Sequence, residues 1–144
     1  MPSTDHEGAV IGRTFADSTP AFPEPDRARP GAPNVLYVLY DDLGWADFGC
    51  FGSEISTPTV DRLASEGLRY TNFHVTPLCS PTRASLLTGR NHHATGMGLL
   101  PNFALGYPGY RGQLHHTTAT IGEMAHAHGY TPRGVGKWHL TPMN

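Results

Sequence analysis

The sequence predicts an α/β fold built on a mostly parallel sheet, and three observations carry that expectation. Asn34 to Tyr40 reads NVLYVLY, a continuous β-branched and aromatic run of the kind that forms a strand buried on both faces. Further strand candidates at 68–75 and 131–136 alternate with helical patterns opening at Thr57, Ser80 and Thr120, which is the spacing of βαβ units. Each helical pattern meets a glycine where it should stop: Gly67, Gly89 and Gly129.

Residues 1–33 stand apart from that alternation. They hold six of the thirteen prolines and little apolar periodicity, so they read as an extended arm without regular structure, leaving 34–144 as the folded unit. With 10 basic against 12 acidic residues, the chain offers no nucleic-acid surface and no polybasic membrane patch. Its longest apolar run, Val35 to Tyr40, is too short to span a bilayer. Two cysteines, Cys50 and Cys79, are too few for a disulfide framework and leave room for one bridge. No basic region followed by an apolar one opens the sequence, so the expected location is cytoplasmic.

The first strand candidate ends in Asp41 and Asp42. Ligands collect at the carboxyl ends of strands in open α/β sheets, and adjacent carboxylates there can converge on a hard cation. Taken alone, such a pair is more often a solvated turn. Thr57 and Pro58 then open a helix with Val60, Leu63 and Ala64 on one face. Leu68 to Val75 follows as the second strand. In the next stretch, TPLCSPTRASLLTGR, Ser80 and Pro81 read as the N-cap and first residue of a helix. Cys79 is thereby set at a helix start, where free N–H groups and the positive dipole end favour anions and reactive sulfur chemistry. Arg83, one turn in, adds a fixed positive charge on the same side.

After Arg90, the stretch NHHATGMG contains paired histidines among glycines. Adjacent side chains on a regular element cannot both face one site, so His92 and His93 are assigned no role. Pro101 to Gly112 reads as a loop with aromatic residues that would line an aryl pocket only by guess. Thr120 and Glu123 make a capping-box pattern for a helix running to His128. His126 and His128 lie two apart on it, which argues against shared ligation. The last strand candidate, carrying Pro132 and Arg133, leads into GKWHL.

The run Cys79-Ser80-Pro81-Thr82-Arg83, with Thr88-Gly89 beyond it, resembles the signature of the sulfatase family, Cys-x-Pro-x-Arg followed by Thr-Gly. Lys137-Trp138-His139 resembles the second sulfatase signature, and Asp41-Asp42 with Leu43, Gly44 and Trp45 is similar to the family's first metal-binding stretch. The arm resembles that of bacterial arylsulfatases. The resemblance runs from about Pro33 to Leu140 and departs at Thr82, where the family usually has Ser or Ala. It implies an alkaline-phosphatase-like α/β/α sandwich, of which 34–144 would be the N-terminal portion.

The resemblance also implies the chemistry. A formylglycine-generating enzyme would oxidise Cys79 to formylglycine, whose hydrate attacks the sulfur of a sulfated small molecule, expected to be an aryl sulfate. Its second hydroxyl then releases sulfate, whereas a serine would stay trapped as an ester. Ca2+ or Mg2+ would be held by Asp41, Asp42 and the modified Cys79. Arg83 would hold the formylglycine and site anions, Lys137 the sulfate oxygens, and His139 the formylglycine hydroxyl. Two other readings stay open. One is a phosphatase or phosphodiesterase of the same superfamily, which normally carries Ser or Thr at the nucleophile position. The other is a truncated, non-catalytic anion- or metal-binding protein. A cysteine-dependent phosphatase is excluded, because its arginine would fall where Ser85 stands. The family completes its metal site with later residues, so these 144 residues are expected to be an incomplete catalytic domain, inactive alone.

Overall fold

A computed structural model of the chain describes residues 8–22 and 27–142. Three α-helices form among these residues: α1 Pro58–Glu66, α2 Cys79–Thr88 and α3 Ile121–His126. Each starts where local chemistry dictates. In α1, Pro58 occupies the first turn, where its missing N–H costs nothing. In α3, the Thr120 hydroxyl accepts from the Glu123 N–H while the Glu123 carboxylate accepts from the Thr120 N–H at 2.7 Å, closing the capping box. That helix stops at His126, short of the expected His128, and a turn carries the chain to Gly129 at φ +81°.

The sequence misplaces the start of α2. Ser80 is not its N-cap; the helix already includes Cys79, and Leu78 is the cap, its carbonyl accepting the Thr82 N–H at 3.1 Å. Pro81 falls inside the first turn, which still needs no N–H from it. At the other end Gly89 is left-handed at φ +66° and donates to the Ser85 carbonyl at 2.8 Å, as a glycine cap does. Gly67 ends α1 differently, in extended backbone.

The expected strands at 34–40, 68–75 and 131–136 do not form. Among the described residues the only β pairings are two isolated antiparallel bridges, Val10 with Thr19 and Met97 with Tyr110. A strand exists through its ladder, and a segment with no neighbour has no ladder however strong its β propensity. Val35 to Tyr40 are exposed along their whole length, and Val135 is fully so. No helix among the described residues is long and apolar enough to cross a membrane.

The buried centre is small and belongs to α2. Ala84, Met97 and Leu140 form it, with Leu87 and Leu114 packed against them. Met97 reaches it from a segment zipped by backbone hydrogen bonds: Gly98 N–H to Gly109 O at 2.8 Å, Arg111 N–H to Gly96 O at 2.8 Å, and His115 N–H to Thr95 O at 3.0 Å. The segment around Met97, which includes the 101–112 stretch read from sequence as a loop, is thus tied by its own backbone hydrogen bonds and packs on the helix through Met97 and Leu114. Cys50 and Cys79 are both free thiols.

Residues 1–7, 23–26 and 143–144 lie outside the described residues, so the extended-arm reading applies to only part of the arm. Within 8–22 the backbone closes on itself rather than running extended, with Val10 and Thr19 exchanging hydrogen bonds of 3.0 and 2.9 Å. Further on, the arm passes over Gly129, where a Cβ would overlap the Arg27 carbonyl.

Gly129 and Gly52 share left-handed backbone, but Gly52 faces open space. Gly52→Ala should therefore cost only the conformational penalty, about 1–2 kcal/mol. Gly129→Ala should lower the urea midpoint further, because it also displaces residues 27–28. Equal midpoints for the two variants would show that the arm does not rest on Gly129.

Candidate active site

Three segments far apart in sequence meet at the N-terminal end of α2. Asp41 follows the NVLYVLY run, Cys79 and Arg83 lie on α2, and Lys137 and His139 come from the GKWHL stretch. The Asp41 carboxylate joins them: Oδ2 accepts from Lys137 Nζ at 2.7 Å and Oδ1 from Arg83 at 3.2 Å. Arg83 also donates to the Lys137 carbonyl at 2.6 Å. Helix, first turn and last segment are thereby locked together.

Cys79 sits at the mouth of this arrangement. Its sulfur lies 3.4 Å from Lys137 Nζ and 3.4 Å from His139 Nδ1. Helical spacing explains the pairing of Cys79 with Arg83, since residues four apart share a face. The Arg83 side chain is only 11% exposed, whereas those of Lys137 and Asp41 are 39% and 35% exposed. The site is therefore half exposed, with a mostly buried guanidinium behind it. Two buried polar atoms, Ser80 Oγ and Arg83 Nε, have no hydrogen-bond partner among the described residues.

Charge pairing shifts two groups. The hydrogen bond from Lys137 lowers the Asp41 carboxyl below its ordinary range, with Arg83 adding to the effect against partial burial. The bond to Asp41 raises Lys137 above its ordinary value, opposed by desolvation and aided by Cys79. A carboxylate with a depressed value stabilises the fold above its ordinary range and loses that as pH falls through the lowered value. A raised lysine stabilises below its ordinary value and loses that as pH rises through the raised one. The ion pair is therefore intact throughout the neutral range.

Of the residues singled out from sequence, the structure gathers Asp41, Cys79, Arg83, Lys137 and His139. Asp42 is not among them: it is exposed, left-handed at φ +53°, and makes no hydrogen bond or ion pair with the described residues. His139 is also left-handed, at φ +54°, and this conformation accompanies its ring's approach to Cys79. By donor chemistry the two carboxylates suit a hard divalent ion. In this structure both Asp41 oxygens are engaged by side-chain cations instead. Among the described residues no three His, Cys, Asp or Glu side chains converge as a metal site. The carboxylate pair thus fits such an ion in kind and would supply only part of a coordination sphere. His92 and His93 contact each other, and His93 reaches the Tyr110 hydroxyl at 3.2 Å, away from Cys79.

Sequence reading missed the role of Thr82. Its hydroxyl lies 2.7 Å from that of Thr76 and donates to the Thr76 carbonyl at 3.0 Å, fastening the turn that delivers Cys79. A Ser could make these bonds and an Ala could not, so Thr82 keeps the hydroxyl that the turn uses.

The Sulfatase family pattern matches residues 33–144. The chain is 45% identical over 115 residues to human arylsulfatase A, a match covering 78% of this chain and 22% of that protein. It is 44% identical over 121 residues to an uncharacterized sulfatase of Schizosaccharomyces pombe, covering 79% and 22%. Against the arylsulfatase of Klebsiella aerogenes it is 35% identical over 115 residues, covering 78% and 25%. A family pattern that covers most of the chain defines the class: the chain belongs to the sulfatase family. It spans about a fifth to a quarter of the length of these curated relatives. Membership implies an alkaline-phosphatase-like α/β fold, while the described residues form three α-helices and no sheet.

Lys137 is the sole lysine of the chain, so its titration can be followed through one ε-methylene signal. In chelator-treated protein that signal should titrate above the ordinary lysine value of about 10.4. Asp41→Asn should bring it back toward that value. An unchanged midpoint in the variant would mean that Asp41 does not hold Lys137.

Proposed function

We propose that this chain is the nucleophile-bearing segment of a sulfuric ester hydrolase that cleaves aryl sulfates. One observation carries the reading: Cys79, at the first residue of α2, has Lys137 and His139 on its sulfur and Arg83 one turn behind, in a member of the sulfatase family. Similarity to arylsulfatases supports the aryl substrate class.

Converted to formylglycine by a formylglycine-generating enzyme, Cys79 would supply a hydrated aldehyde, one hydroxyl for attack on sulfur and the other for release of sulfate. Calcium or magnesium on Asp41, Asp42 and the modified side chain would supply Lewis-acid polarisation. The rest is done by this chain's own groups. Lys137, charged at neutral pH, lies one contact from position 79 and neutralises sulfate oxygens. Arg83 holds the backbone of Lys137 and adds its own charge from below. His139 Nδ1 can hold or move a proton at the γ position of residue 79. The free N–H groups opening α2 favour the bound anion.

The test uses the complete polypeptide containing this segment, produced with a formylglycine-generating enzyme. The Cys79 peptide should carry the aldehyde mass, and an aryl sulfate should be hydrolysed far faster than the matching phosphate monoester. Phosphatase efficiency equal to or above the sulfatase rate would assign the protein to the phosphatase branch. Unmodified cysteine alone under these conditions would remove the nucleophile assignment. Lys137→Ala should lower kcat about 10²- to 10³-fold, the usual cost of one lost oxyanion donor; a rate within a few-fold of wild type would leave Lys137 without that role.

A further inference from the structure

The segment carrying Asp41 has no strand ladder, so something else must fix it. The chain after Asp41 folds through two short 3-10 turns, Trp45–Asp47 and Gly49–Phe51, and the second is fastened to the start of α1. Asp61 Oδ1 accepts from the Cys50 N–H at 2.7 Å and from the Thr57 hydroxyl at 2.9 Å. Thr57 Oγ1 in turn accepts from the Gly49 N–H at 2.8 Å. The fit is close enough that a Cβ at residue 49 would stand 2.7 Å from Asp61 Oδ2. From this clamp the path to the site is short. Phe48, next to Gly49, packs edge-on against Tyr40 with ring centroids 5.0 Å apart, and Tyr40 is bonded to Asp41.

We infer that Asp61 is a positioning residue for the active site: with Thr57 it clamps the 48–50 turn to α1 and, through Phe48 on Tyr40, holds Asp41 where it meets Lys137 and Arg83. This rests on the assignment of Asp41 to the site. Asp61 touches no reacting group itself. An acidic residue in the first turn of a helix also favours the helix through its dipole, and that general role makes a different demand. The clamp needs an oxygen acceptor at Oδ1 and is indifferent to charge, whereas the dipole needs the charge and no acceptor geometry.

The distinction can be read in the full chain with lysine labelled at the ε-carbon, since Lys137 gives a single signal. At a fixed neutral pH the Asp41→Asn variant marks the position of a released Lys137. Asp61→Ala should move the signal most of the way to that mark, and Asp61→Asn, which keeps the acceptor, should leave it at the wild-type position. Thr57→Val, which keeps the shape and removes the hydroxyl, should give a partial shift in the same direction. If Asp61→Ala fails to fold, Asp61→Asn and Thr57→Val decide the matter. Equal shifts for the Asn and Ala variants would assign Asp61 to the helix dipole and overturn the inference, as would a wild-type signal in folded Asp61→Ala or in Thr57→Val. The readout needs no turnover, so its failure leaves the sulfatase reading standing, and failure of that reading leaves the clamp measurable.

Discussion

One carboxylate does more to define this structure than any apolar contact. Asp41 bonds Arg83 across 42 residues and Lys137 across 96, and it does so where the buried hydrophobic centre among the described residues is Ala84, Met97 and Leu140. With so little core, long-range order depends on polar ties. The mostly buried guanidinium of Arg83 requires them in any case, because a desolvated charge without partners is costly. Asp41 and the Lys137 carbonyl meet that requirement, and in meeting it they carry Lys137 and His139 to the mouth of α2. The contact that satisfies Arg83 is therefore the contact that assembles the site.

What could be read from the sequence divides along the range of the interactions. Pro58, Gly89, Thr120 and Glu123 act within one turn of themselves, and their signals were legible because nothing distant modifies them. The strands were misjudged for the opposite reason. NVLYVLY has the composition of a buried strand, but a strand is a property of a pair, and no neighbouring segment among the described residues supplies the ladder. The start of α2 shows the intermediate case: Ser80 and Pro81 look like a cap and a first residue, yet the Thr76 and Thr82 hydroxyls fasten the preceding turn and the helix begins at Cys79.

The candidate site was legible by resemblance rather than by spacing. Nothing in the intervals between residues 41, 83 and 137 predicts that their charges meet. Conversely, the helical interval between Cys79 and Arg83 is local and did predict a shared face. The clamp that Asp61 makes with Thr57 escaped notice, because in sequence Thr57 reads only as the opening of a helix and Asp61 as an ordinary residue of its first turn. Their partners are main-chain N–H groups eleven and eight residues away, and backbone donors leave no mark in a sequence.

Among the described residues two non-glycine residues adopt left-handed backbone, Asp42 and His139, and each adjoins or belongs to the candidate site. Such conformations cost about 1–3 kcal/mol and persist where surrounding contacts hold them. For His139 the compensating contact is visible: between Lys137, tied to Asp41 and Arg83, and Leu140, fully buried, only Trp138 and His139 are left to make the turn, and the turn brings Nδ1 to Cys79. Asp42 shows no such compensation among the described residues, since its carboxylate meets neither cation nor donor. The strain at His139 is thus held by packing on either side of it, whereas Asp42 belongs to a residue type that enters left-handed backbone at comparatively small cost.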